Sequence, residues 1–181
     1  MSISFTQSVT AFDAGQMAVV SQAVAMAEDL VSDHYKLSAT QLRQLNYDVK
    51  TRADLAEHEI VADHFAQIVR YRAEKHNAVL ITSAQDFYKV CIQDHSILAC
   101  LKDHTEMALY PFLLYVICHE LVHVVRFKRF QQQFHVPDEL KCAEETRVHR
   151  ITHEILSPRK IKGMGPVFAF YENWLTATEM S

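Results

Sequence analysis

The chain has 181 residues, 18 Lys and Arg against 22 Asp and Glu for a formal charge of −4, and 49% hydrophobic residues, enough for one good core. Its glycines stand only at 15, 163 and 165, so residues 16–162 offer no place for a phosphate-cradling P-loop or a GxGxxG dinucleotide turn. Scarce glycine and proline also disfavour a sandwich or barrel, which needs turn residues every ~8–12 positions, and mild acidity without a basic face speaks against nucleic acid as a partner.

Along the chain, Met17, Val20, Val24, Ala27 and Val31 recur every three or four residues, which predicts a helix over 12–36. A second helical stretch is predicted over 38–75, from Leu42, Leu45 and Val49 early and Val61, Phe65, Ile68 and Val69 later, with a break near 48–52. Residues 78–82 are short, apolar and β-branched and read as a buried strand. Residues 87–93 and 97–101 read as the arms of a hairpin around Asp94, His95 and Ser96.

Pro111 suits the first turn of a helix, and the apolar residues after it predict a long buried helix over 110–130. His119, Glu120 and His123 interrupt that apolar run and make a lipid-spanning role costly, so no membrane is expected as a partner. Arg126, Lys128 and Arg129 close the helix where cations complement its dipole, a structural use of charge. The next helix opens at Pro137, Asp138 and Glu139 and is stopped by Ser157 and Pro158; residues 163–174 read as a turn and an aromatic packing segment. No repeat or Gly/Ser linker divides the chain, so one domain is expected over 1–181, with a helical N-terminal part at about 1–77 and a part carrying the chemistry at about 78–181. Cysteines 91, 100, 118 and 142 form no CxxC pair and suit free, core-packing thiols in a reducing compartment; the first basic residue falls beyond Asp13, so a secretory signal is not expected and a cytoplasmic location is.

The predicted 110–130 helix contains Ile117-Cys118-His119-Glu120-Leu121-Val122-His123, a complete HExxH. Residues i and i+4 share a helix face, so both imidazoles reach one metal ion while Glu120 stands beside it to take a proton from a metal-bound water. Composition alone would produce about 0.04 such matches in a chain of this make-up, so the string carries weight against a pair of satisfied core histidines. Two other His-Glu pairs, at 58–59 and 153–154, lack the closing histidine, since Ala62 and Ser157 stand in its place. Cys118 points to a different helix face from His119 and reads as core. A third ligand has candidates on the next helix in Glu144, Glu145, His149 and His153, twenty-one residues or more beyond His123.

Here the chain resembles the gluzincin metallopeptidases, in which the HExxH helix is followed by a helix donating a glutamate. The pattern is most similar to the ImmA/IrrE-type peptidases, whose glutamate helix reads roughly ExxANxFAxxLLxP; the run from Glu145 through Val148, His149, Ile151, Thr152, Ile155 and Leu156 to Pro158 keeps that register. The likeness covers about residues 113–158. It implies Glu145 as third ligand, one Zn2+ per chain, a peptide or protein substrate, and Glu120 as general base. It also puts His149 where the family has Asn, so His149 either hydrogen-bonds to a ligand or itself binds metal. Glu144 is a fallback ligand whose default reading is an exposed charge near a helix start. Arg147, His153 and Tyr171 are candidates to stabilise an oxyanion, with solvation or packing as the competing reading of each.

The expected fold is thus α+β, predominantly helical and zincin-like, with a small sheet and an HExxH active-site helix, and the expected function is that of a zinc metallopeptidase. Two other readings compete. Glu120 and His123 form an ExxH of the kind found in di-iron helical bundles, for which Glu57, Glu59, Asp63 and His64 are loose partners and no second ExxH exists. Alternatively, a metal-stabilised scaffold without catalysis recognises a protein partner.

Overall fold

The computed structural model describes residues 10–72, 86–129, 134–135 and 137–176. Helix α1 runs from Ala14 to Tyr35, opened by a reciprocal cap in which Asp13 accepts from the Gln16 backbone at 2.8 Å and the Gln16 side chain accepts from Asp13 N at 2.9 Å. It closes at Lys36 in the left-handed region, φ 54°. Ser38 and Gln41 repeat the device for the short α2, Ala39–Gln44.

The helical stretch predicted over 38–75 ends there. Asn46, at φ 55°, turns the chain into strand β1, Tyr47–Lys50, and strand β2 follows at Ala66–Tyr71 after two 3-10 turns, Arg52–Asp54 and Glu57–Glu59. The apolar spacing at Val61, Phe65, Ile68 and Val69 suits a helix, yet Ile68 and Val69 alternate across a sheet. Short apolar runs of this kind are ambiguous, and pairing with a buried neighbour decides them. That neighbour is β3, Phe87–Ile92, the central strand of a sheet ordered β1-β3-β2, with β1 parallel and β2 antiparallel to it. The sheet therefore crosses the divide expected near residue 77. The predicted strand at 78–82 lies outside the described residues.

The predicted hairpin is half right. β3 is its first arm, whereas Asp94–Asp103 is helix α3. Asp94 is no turn residue. It is buried, and its carboxylate accepts from Phe12 N at 2.9 Å and Arg52 N at 3.0 Å, tying two distant segments to the start of α3.

Helix α4, Leu109–Lys128, is the axis of the core. It packs against α1 on one side, α5 (Asp138–Leu156) on another, and also meets β2. By length and composition it could cross a bilayer, but its most apolar window is 83% buried within the molecule, as befits a core helix. The closing cations are structural, as expected: Arg126 pairs with Glu144, Lys128 donates to the Asp86 carbonyl and Arg129 to that of Tyr35. The tail folds as two short helices, α6 (Met164–Phe170) and α7 (Glu172–Thr176), which bring Phe168, Phe170, Tyr171 and Trp174 into aromatic contacts.

A buried ion pair holds β2 in place. Glu59 is fully buried and accepts from Lys89 Nζ at 2.7 Å, from Ala56 N at 2.7 Å and from the Tyr71 hydroxyl. Burial alone would raise this carboxyl, but Lys89, Tyr71 and Ala56 override it and hold the pKa down at about 2. A carboxyl depressed by folding contributes stability that is present above its ordinary value of 4.5 and is lost as pH falls towards 2. Glu59→Gln is expected to cost about 2–3 kcal/mol at pH 7 and to flatten the loss of stability across that window. Urea unfolding at a series of pH values checks this, and an unchanged pH profile would count against it.

Candidate metal centre

Two stripes at i, i+4 spacing face each other. On α4 they are Tyr115, His119, His123 and Phe127; on α5, Lys141, Glu145 and His149. The Pro137 opening sets the start of α5 and the packing of α4 against α5 brings the stripes together. His119 Nε2 lies 3.1 Å from one Glu145 carboxylate oxygen and His123 Nε2 lies 3.1 Å from the other, while the two Nε2 atoms are 3.2 Å apart. One ligand-capable atom from each of the three residues falls within 4.8 Å of the others.

The chemistry of this donor set suits a divalent cation. Two imidazoles and one carboxylate are the ligand types of an open, three-protein-ligand zinc site, though other metals accept the same donors. His119 Nδ1 is buried with no partner among the described residues, a polar atom left open beside the cluster. Burial would raise the Glu145 carboxyl, but hydrogen bonds from His119 and His123 dominate and hold it well below the usual carboxylate range.

The cluster lies along a cleft of about 590 Å³ whose wall also includes Glu120, His149, Tyr171 and Trp174. Glu120 is half-buried; burial pushes its carboxyl up, and the Glu145 charge adds to that against the pull of the two histidines. The cleft is also lined by Asp63, His64 and the β2 residues Ala66, Gln67 and Ile68.

The other sequence candidates separate cleanly. Glu144 is not an exposed charge: it is largely buried and accepts from Arg126 Nε at 2.5 Å, one turn beyond His123, so it staples α5 to α4 instead of joining the cluster. Glu144→Ala is expected to cost about 3 kcal/mol by removing the carboxylate that pairs with a buried guanidinium; thermal or urea unfolding measures it, and a loss below about 1 kcal/mol would contradict the assignment.

His149 stays out of the three-residue cluster. Its ring lies against that of His119, centroids 4.3 Å apart, and its Nδ1 is 2.9 Å from the Tyr115 hydroxyl. Burial, with His119 beside it, pushes its pKa down to about 3. Arg147 is exposed and does not line the cleft, and His153 packs on Phe168 at 4.5 Å, whereas Tyr171 lines the cleft and stacks on Tyr115 at 4.2 Å. All four cysteines are free, but the core-packing expectation holds only for Cys91 and Cys118, which are buried; Cys100 is half-buried and Cys142 is exposed on α5. Of the residues weighed for a second metal, Glu57 and Glu59 belong to a 3-10 turn and Glu59 is committed to Lys89 and Tyr71, while Asp63 and His64 line the cleft but stay out of the three-residue cluster.

Sequence reasoning missed Tyr115 and Trp174. Tyr115 had a legible signal, four residues before His119 on the same face; Trp174 had none, since its place depends on how the tail folds back. Comparison with protein-family models, with curated proteins and with solved structures finds no match.

Proposed function

We propose that the chain is a metal-dependent hydrolase of the zincin class. More narrowly, it is read as a gluzincin-type peptidase, as the resemblance of residues 113–158 to the ImmA/IrrE-type enzymes implies, with one zinc ion per chain. The observation that carries this reading is the convergence of two imidazole nitrogens and a carboxylate along a cleft that Glu120 also lines. His119, His123 and Glu145 would hold the ion, which when bound supplies polarisation of a carbonyl and a water of lowered pKa. Glu120 accepts a proton at a carboxylate oxygen and passes it to the leaving nitrogen.

A peptide substrate is supported by the strand that lines the cleft. β2 is an edge strand among the described residues, and its Ala66, Gln67 and Ile68 border the cleft, so an extended backbone can add to the sheet there. Val116, Phe127 and Trp174 offer apolar surface to side chains. Four free cysteines fit a reducing, cytoplasmic setting.

The test is cleavage of unfolded casein by the zinc-reconstituted chain. Cleavage should vanish with 1,10-phenanthroline and return with added zinc. A chain that holds zinc stoichiometrically but cleaves no unfolded protein would leave the metal-stabilised binding module as the better account.

A further inference from the structure

We propose that His149 is a hydrogen-bond donor to the reacting carbonyl oxygen, aimed by Tyr115, and not a fourth metal ligand. This rests on the hydrolase reading above and assigns the oxyanion role to a residue other than Arg147, His153 or Tyr171.

The argument is one of hydrogen-bond accounting. Tyr115 is buried, 1% exposed, and its hydroxyl has a single partner among the described residues, His149 Nδ1 at 2.9 Å. A buried phenol must place its proton on an acceptor, so the hydroxyl donates and Nδ1 accepts. The ring is then the Nε2–H tautomer. Nε2 has no partner among the described residues, yet it is absent from the fully buried polar atoms that lack one. It is therefore accessible, and the surface that this 5%-exposed residue shares is the cleft wall.

The ring is also fixed in place. Trp174 stacks on it at 5.0 Å and 24°, Tyr171 lies against it at 5.0 Å, and His119 closes a third side at 4.3 Å. A donor held by packing and by a partner on its other nitrogen needs no reorganisation when charge develops on a carbonyl oxygen. Its position one turn after Glu145, outside the cluster but on the wall of the same cleft, gives that N–H the space in which a carbonyl bound beside the cluster would lie.

Two measurements on the full chain test this. Long-range 1H–15N spectra of the metal-free protein should show His149 as the Nε2–H tautomer, with Tyr115→Phe shifting the Nδ1 resonance while the fold persists. His149 as the Nδ1–H tautomer would overturn the inference. Next, His149→Phe, which keeps the ring stack, should retain about one zinc per chain. It should bind a phosphinic Phe-Leu pseudodipeptide, a tetrahedral oxyanion mimic, at least tenfold more weakly than wild type by calorimetry, with 2-mercaptoethanol, which needs only the metal, unaffected. Zinc lost in His149→Phe, or phosphinate affinity unchanged, would overturn it. Wild type holding no zinc would instead fail the underlying hydrolase reading, and the tautomer is read without metal, so the two failures are distinguishable.

Discussion

Glu120→Gln is expected to lower peptide hydrolysis by about 10²–10⁴-fold while leaving both metal content and stability near those of wild type. The substitution keeps the shape of the side chain and removes only its capacity to accept a proton. Glu120 is half-buried on the cleft wall, on the same helix as His119 and His123 but one position round from the first, so its carboxyl faces the reaction space and is no member of the three-residue cluster. A neutral amide there carries no charge to desolvate, so no folding penalty is expected. The measurement is casein cleavage alongside zinc content for the same preparation. Hydrolysis that survives in Glu120→Gln would remove the general base from the account; zinc lost together with activity would make Glu120 part of the metal site.

Glu145→Ala is expected to have the larger effect on the metal. Loss of an outer partner of a ligand costs about 10–100-fold in metal affinity, and loss of a ligand should exceed that. With Glu145 gone, the two Nε2 atoms 3.2 Å apart lose the carboxylate they share, so only two members of the three-residue cluster remain. Glu144→Ala is the contrasting variant: it should destabilise the chain through Arg126 yet leave zinc stoichiometry unchanged. Competition with a chelator separates the two, because a fallback ligand would show its loss in affinity and a staple would show it in unfolding.

Where local chemistry dominated, the fold could be read from the residues. α1 announced itself by a five-residue apolar stripe and α5 by Pro137 with two acidic residues behind it; α4 followed from the long apolar run after Pro111. The spacing of HExxH made the pairing of His119 with His123 legible in the sequence, whereas the residues alone left Glu144, Glu145, His149 and His153 open as the third member and only the resemblance to the gluzincins pointed to Glu145, which is the one that joins the cluster. What was illegible depended on distant partners. Residues 47–50 and 66–71 fall in a stretch whose spacing is compatible with a helix, and only the pairing of β1 and β2 with β3 resolves them as strands. Asp94 looks like a turn residue until Phe12 and Arg52, both more than forty positions away, are seen to donate to it. Glu144 looks like a solvated charge because nothing local reveals that Arg126 faces it. Trp174 and Tyr171 reach His149 only because α6 folds back on α4 and α7 on α5.

The central claim is that His119, His123 and Glu145 hold a metal ion, and metal content per chain tests it most directly. Untagged protein prepared without chelators, wild type beside Glu145→Ala, is analysed by elemental mass spectrometry before and after zinc is offered. About one zinc per wild-type chain, absent or weakly held in the variant, is the predicted result. A wild-type chain that takes up no metal even when zinc is supplied would contradict it, leaving two core histidines that share a carboxylate.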